Sequence, residues 1–144
     1  MAAGTWTTFY SAREYIGDGT IDLDGDTFKV GLLTSSATPS ASAHTVWGDL
    51  STYEVSNAGY SAGGFTITQT WTSSSGVSKF DSDNPSWTAS GAEMVSKYAV
   101  LYDTTASNAL VAYCSLDSSD VTTPIGATLL ISISDNGYFS LTQS

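Results

Sequence analysis

"FTITQTWT", residues 65–72, is the stretch on which the fold turns. Phe65, Ile67 and Trp71 fall on alternate positions, and Thr66, Thr68, Thr70 and Thr72 fill the places between them. A period of two sends successive side chains to opposite faces of an extended chain, and β-branched and aromatic residues suit a pleated, half-buried surface. The stretch therefore predicts a strand with one apolar face and one threonine face.

The same reading extends outward. Phe28, Val30 and Leu32 alternate in "TFKVGLL" (27–33), and strands are predicted in "GVSKFD" (76–81), "SKYAVLYD" (96–103), "ALVAYCSLD" (109–117), "ATLLISI" (127–133) and "GYFSLT" (137–142). Turn signals separate them: Asn57 to Gly59, Gly63-Gly64, Ser107-Asn108 and Asp135 to Gly137. One helix is predicted over "TTFYSAREYI" (7–16), where Phe9, Ala12 and Ile16 share a face, Thr7 or Thr8 can cap, and Gly17 can stop it. Closely spaced strands without helices between them predict an all-β or β-dominated fold, an antiparallel β-sandwich or barrel-like domain with one short N-terminal helix. At 144 residues the chain has the length of a single domain, 1–144, in which residues 1–8 could stand off as an N-terminal arm. The longest irregular stretch is "SSATPSASAHTVWGDLSTYEVSN" (35–57), and long connections of this kind tend to carry contacts.

Composition narrows the function. Four basic residues, Arg13, Lys29, Lys79 and Lys97, stand scattered against fourteen acidic ones, for a formal net charge of -10. Nucleic-acid affinity comes largely from neutralising phosphates, so direct DNA or RNA binding is not expected, nor is attachment to an anionic membrane surface. "MAAGTWTTFYSAREY" has no basic or apolar targeting pattern, and no window resembles a membrane span, which points to folding in a cytoplasm. Cys114, the single cysteine, lies in the apolar run "ALVAYCSL" and is expected as a buried thiol.

The most site-like cluster is "DLDGD" (22–26). An EF-hand register starting at Asp22 would place Thr27 at the sixth position and Leu33 at the twelfth, where that loop needs glycine and glutamate. Asp22, Asp24 and Asp26 are read instead as water-facing residues of a turn, with Ile21 and Leu23 pointing inward and no metal expected. His44, the only histidine, cannot build a multi-imidazole zinc site and has no nucleophile elbow beside it. No catalytic residues and no cofactor are expected. Trp47 and Trp87 lie in predicted loops and are candidate sugar-stacking platforms. Trp6, Phe9 and Tyr10 crowd a chain end with few means of burying all three; with Trp47 they are the candidate partner contacts.

The order of several segments carries more than any one of them. "IDLDGDTFKVGLLTSS", "HTVWGDLSTYEVSNAGYSAGG", "FDSDNPSWTA" and "YAVLYD" together resemble a family of small virion-associated proteins of tailed bacteriophages, over roughly residues 9 to 142. The resemblance implies a structural, non-enzymatic protein, with capsid decoration (cement) as the leading role and the major capsid protein as partner. An alternative is a carbohydrate- or host-surface-binding module of a head or tail fibre, or another head–tail component. The acidic charge favours the outer capsid surface over the DNA-filled interior, and a homo-oligomer, a trimer by preference, is expected at symmetry positions of the shell.

Overall fold

The computed structural model describes residues 4–142. Among them the elements run β1 (Thr7–Thr8), α1 (Tyr10–Asp18), β2 (Phe28–Leu33), β3 (Phe65–Thr66), β4 (Gln69–Ser74), β5 (Val77–Ser82), β6 (Ser86–Thr88), β7 (Met94–Ser96), β8 (Tyr98–Asp103), β9 (Ala109–Ser115), β10 (Val121–Thr123), β11 (Thr128–Leu130) and β12 (Phe139–Thr142). The fold is β-dominated with one short helix, and the strand pairings are antiparallel. A five-stranded sheet has the order β1-β9-β8-β2-β3, a three-stranded sheet the order β12-β5-β4, and two ribbons pair β6 with β11 and β7 with β10.

The large sheet carries the core. β2 and β8 pair along their full length, from Phe28 opposite Asp103 to Leu33 opposite Tyr98. Their side chains are almost all buried, so both faces are covered. Phe28 meets Phe80 of β5 edge to face at 5.0 Å, which joins the large sheet to the three-stranded one across a common interior. Truncating either ring would cost about 3–5 kcal/mol, the range for a fully buried phenylalanine.

The run 65–72 is a strand that changes sheet. Phe65 and Thr66 pair with Val30 and Lys29, whereas Gln69 onward pairs with β5. The crossing is fixed at Ile67 and Thr68. Ile67 N–H still donates to Phe28 O, but Thr68 N–H donates to Asp83 Oδ1 at 2.8 Å and Asp83 N–H returns to Thr68 O. Alternation survives the corner because both halves keep their apolar face toward the same interior.

The N-terminal segment differs from the prediction in a consistent way. Thr7 and Thr8 pair with Tyr113 and Ala112 of β9, and Phe9 N–H donates to Val111 O. The helix accordingly starts at Tyr10, with Phe9 extended at its N-cap and making no side-chain cap bond, so neither threonine caps it. It runs through Gly17 and stops at Gly19, whose φ of 84° supplies the left-handed C-cap. Residues 4–8 thus lie along the sheet instead of standing off as an arm; residues 1–3 of that segment lie outside the described residues. β1, β6, β7 and β10 were not predicted. Each has only two or three residues, too few to show a period.

The long segment 35–57 holds two single 3-10 turns, Trp47–Asp49 and Ser51–Tyr53, and its otherwise irregular course is pinned. Trp47 N–H donates to Asn108 O and Leu110 N–H to Thr45 O, tying it to the β8–β9 turn, and Val55 N–H donates to Leu32 O.

Candidate partner-binding surface

Helix α1 and edge strand β12 flank an apolar groove of about 390 Å³, walled by Thr8, Arg13, Ile16, Gly17, Phe139, Ser140 and Leu141. Helical spacing puts Arg13 and Gly17, four apart, on the side facing the groove, while Ala12 turns into the core. On β12, Phe139 and Leu141 share the face that carries Phe80 of β5. Phe139 stacks on Phe80 at 5.6 Å and is half-buried; Leu141 lies beyond the core and is 56% exposed. Val77, opposite Thr142 in the next strand, is also exposed.

Tyr10 extends the surface. It is 60% exposed, and the Arg13 guanidinium lies over its ring at 4.9 Å from the centroid. Ile16 also walls a second hollow of about 380 Å³, bounded by Ile21, Asp22, Leu23 and Trp71. The two hollows share Ile16, and the second is mixed in character, with Asp22 and Asp24 on its wall beside Ile21, Leu23 and Trp71. Among the described residues the lining of the first groove offers one charged group, Arg13, and contains no histidine, cysteine or carboxylate. Apolar side chains can fill such a groove, with the Arg13 cation at the rim to orient an acidic or carbonyl group.

The four residues expected to contact a partner divide. Tyr10 is on this surface. Trp6 is half-buried and folds back edge to face on Tyr138 at 4.7 Å. Phe9 is 0% exposed and packs against Tyr113 at 5.1 Å, so the expectation of a Phe9 anchor is corrected: pairing of β1 with β9 carries that side chain into the core. Trp47 is corrected likewise. It is 7% exposed, stacked flat on Tyr102 and lying over Gly31, where the missing side chain leaves room for the indole. Trp87 is buried between Tyr60 and Phe65, so neither proposed sugar platform is open to a ring ligand.

The sequence reading did not single out Ile16, Phe139 and Leu141, which wall this groove. Each fits an ordinary core pattern, and alternation alone does not distinguish the exposed Leu141 from the half-buried Phe139. The signal available was the closing strand "GYFSLT", apolar at alternate positions and free of charged residues, whereas edge strands are commonly guarded by charge.

The aspartate cluster is knit to itself. Asp22 Oδ1 accepts the amides of Asp24 and Gly25 at 3.1 and 3.0 Å, and Asp26 Oδ2 accepts that of Asp22 at 2.9 Å. Ile21 and Leu23 are buried, as the alternation predicts. Among the described residues no group of three histidine, cysteine, aspartate or glutamate side chains is placed to hold a metal ion. His44 Nδ1 accepts the Ser40 amide within its own loop. Glu54 accepts from the Tyr60 hydroxyl at 2.8 Å and the Gly63 amide at 2.6 Å, while Tyr60 Oη accepts the Leu32 amide. Burial and the adjacent carboxylate push the Tyr60 phenol far up, so it remains a donor. This network fastens the 54–63 loop to β2.

No protein-family model, no curated protein and no solved structure matches the chain.

Proposed function

We propose that the chain is a non-enzymatic structural protein of a tailed-bacteriophage virion, a decoration protein that binds the outer surface of the head and bridges subunits of the major capsid protein. The groove between α1 and β12 carries this reading: an apolar strip with Arg13 at its rim, exposed on a body of net charge -10. A water-filled apolar strip is costly to a free domain and becomes favourable once a partner covers it. The acidic body suits the exterior of a DNA-filled shell, where like charge keeps it from the packaged phosphates. The segment order that resembles small virion proteins supports the same reading.

Purified virions analysed by quantitative mass spectrometry are expected to contain the protein in numbers that scale with the capsomers. A handful of copies per particle would reject decoration and assign it to the tail or the portal vertex. Self-association at the three-fold positions of the shell belongs to the same proposal, and light scattering of the free protein tests whether the trimer exists before binding.

A further inference from the structure

β4 is the last strand of the three-stranded sheet, so one of its edges pairs with no strand among the described residues. Two observations fix which main-chain groups face that way. Asp83 N–H donates to Thr68 O at 3.2 Å, and Ser75 and Gly76, with φ of 52° and 79°, make a two-residue turn that pairs Ser74 with Val77. In an antiparallel pair the hydrogen-bonded positions recur at every second residue, and both ends agree: Thr68, Thr70, Thr72 and Ser74 turn their amides and carbonyls to β5. Gln69, Trp71 and Ser73 turn theirs outward, and among the described residues no main-chain bond from outside the sheet reaches them.

The edge is unguarded. "QTWTSS" has no charge and no proline, its pairing with β5 runs without a bulge from Gln69 to Ser74, and Thr70, Thr72, Ser73 and Ser74 are exposed. Exposed edges ordinarily carry one of these devices against pairing with another chain. Trp71, in the middle of the edge, is also a wall of the hollow it shares with Ile16, Ile21 and Leu23. It lies opposite Phe80, on the face that turns to the core. Asp22 and Asp24, both exposed, complete the wall, and no lysine or arginine lines it among the described residues. Gln69 Nε2 donates to Asp26 O, which holds the aspartate loop at the Gln69 end of the strand.

We propose that the free edge of β4 takes up an extended, basic segment of another protein as an added strand, with an apolar side chain in the hollow beside Trp71 and a lysine or arginine facing Asp22 and Asp24. Main-chain bonds to Trp71 and Ser73 supply affinity, while the hollow and its acidic wall select the side chains. Charge decides the occupant. A second copy would bring its own net charge of -10 to an acidic wall, whereas a basic segment is drawn to it. This contact is separate from the groove between α1 and β12, sharing only Ile16 with it, and does not depend on the capsid reading.

The test is an amide NMR titration of the full chain with a synthetic peptide of about eight residues, in which valine and lysine alternate along one face and threonine fills the other. Shifts are expected at Trp71, at Ser73 and in residues 21–24, with slowed hydrogen exchange at the Trp71 and Ser73 amides. The same peptide with glutamate for lysine is expected to bind at least about tenfold more weakly. Ser73→Pro removes an outward amide and breaks no bond to β5, so it is expected to keep the melting temperature and to weaken binding about tenfold. Asp24→Asn, at an exposed loop residue, reads the charge by itself, with an expected loss of about two- to fivefold. Absence of shifts at Trp71 and Ser73 up to about 1 mM peptide would overturn the proposal. Equal binding of the glutamate peptide, or shifts confined to the groove between α1 and β12, would overturn it too. A free chain that is a dimer until Ser73→Pro separates it would give the edge to a second copy instead, and the basic segment would be rejected.

Discussion

Trp47 lies flat on Tyr102, with ring centroids 4.6 Å apart and planes 4° from parallel, and the far edge of its indole covers Gly31 of β2. A Cβ on Gly31 would come within 2.5 Å of Trp47 Cη2. The glycine is thus required by a side chain from a distant loop and not by a turn.

Gly31→Ala is expected to destabilise the protein by about 1–3 kcal/mol, the usual cost of overpacking a filled site. Trp47→Leu removes the obstruction at its own cost in lost packing. The double variant is therefore expected to be at least about 1 kcal/mol more stable than the two single losses added together. Urea unfolding of all four proteins measures this coupling; simple additivity would show that the strand relieves the clash by shifting.

If α1 and β12 form the partner surface, charge placed there acts on binding and hardly on folding. Leu141→Asp and Tyr10→Asp alter exposed side chains and are expected to change stability by no more than about 0.5 kcal/mol. Each is expected to weaken binding to undecorated capsids at least tenfold, about 1.4 kcal/mol, as loss of an apolar anchor does. Cosedimentation with capsids, alongside a melting curve for each variant, separates the two effects. Unchanged cosedimentation would move the contact elsewhere on the body.

Removing residues 2–8 tests the docking of the N-terminal segment. The deletion takes away the pairing of Thr7 and Thr8 with β9 and the contact of Trp6 with Tyr138, and it uncovers Phe9. A loss on the order of 2–4 kcal/mol is expected, typical of a partly exposed core aromatic with broken strand pairing. Calorimetry reads it directly. An unaltered melting transition would mean that the segment is dispensable for the fold.

The sequence carried the longer strands well, through alternation in β2 and through continuous apolar runs with β-branched and aromatic residues in β8 and β9. β2, β5, β8 and β9 lie where "TFKVGLL", "GVSKFD", "SKYAVLYD" and "ALVAYCSLD" place them. It could not carry the corner at Ile67–Thr68, because period two is the same on both sides and the break is made by Asp83, fifteen residues beyond Thr68. Nor could it separate buried from exposed aromatics. Phe9 and Tyr10 are adjacent and similar, yet pairing of β1 with β9 sends one into the core and the helix turn sends the other to water. Asp103 was illegible for the same reason: in sequence it closes a strand like any turn aspartate, and its burial arises only when the β8–β9 turn is bonded to the connection before β2 through Thr27, Thr104 and Thr105.

Cys114 offers a readout of the same N-terminal docking. Its thiol is buried and is pushed up to about 12 by loss of solvent, against a smaller lowering from the backbones of Ala99 and Gly4. Only the thiolate reacts with a disulfide reagent, so at about pH 8 the folded protein holds almost none of the reactive form and reaction must await an opening. Gly4 lies so close to β9 that a Cβ there would fall 2.5 Å from Ser115 O, so the segment covers the strand at the position next to the thiol. Labelling of the full chain with an aromatic disulfide is expected to be at least about a thousandfold slower than that of the unfolded chain. In the chain lacking residues 2–8 the labelling is expected to speed up by more than its loss of global stability explains, because the cover itself is gone. Equal acceleration of labelling and global unfolding would instead show that Cys114 is reached only when the whole sheet opens.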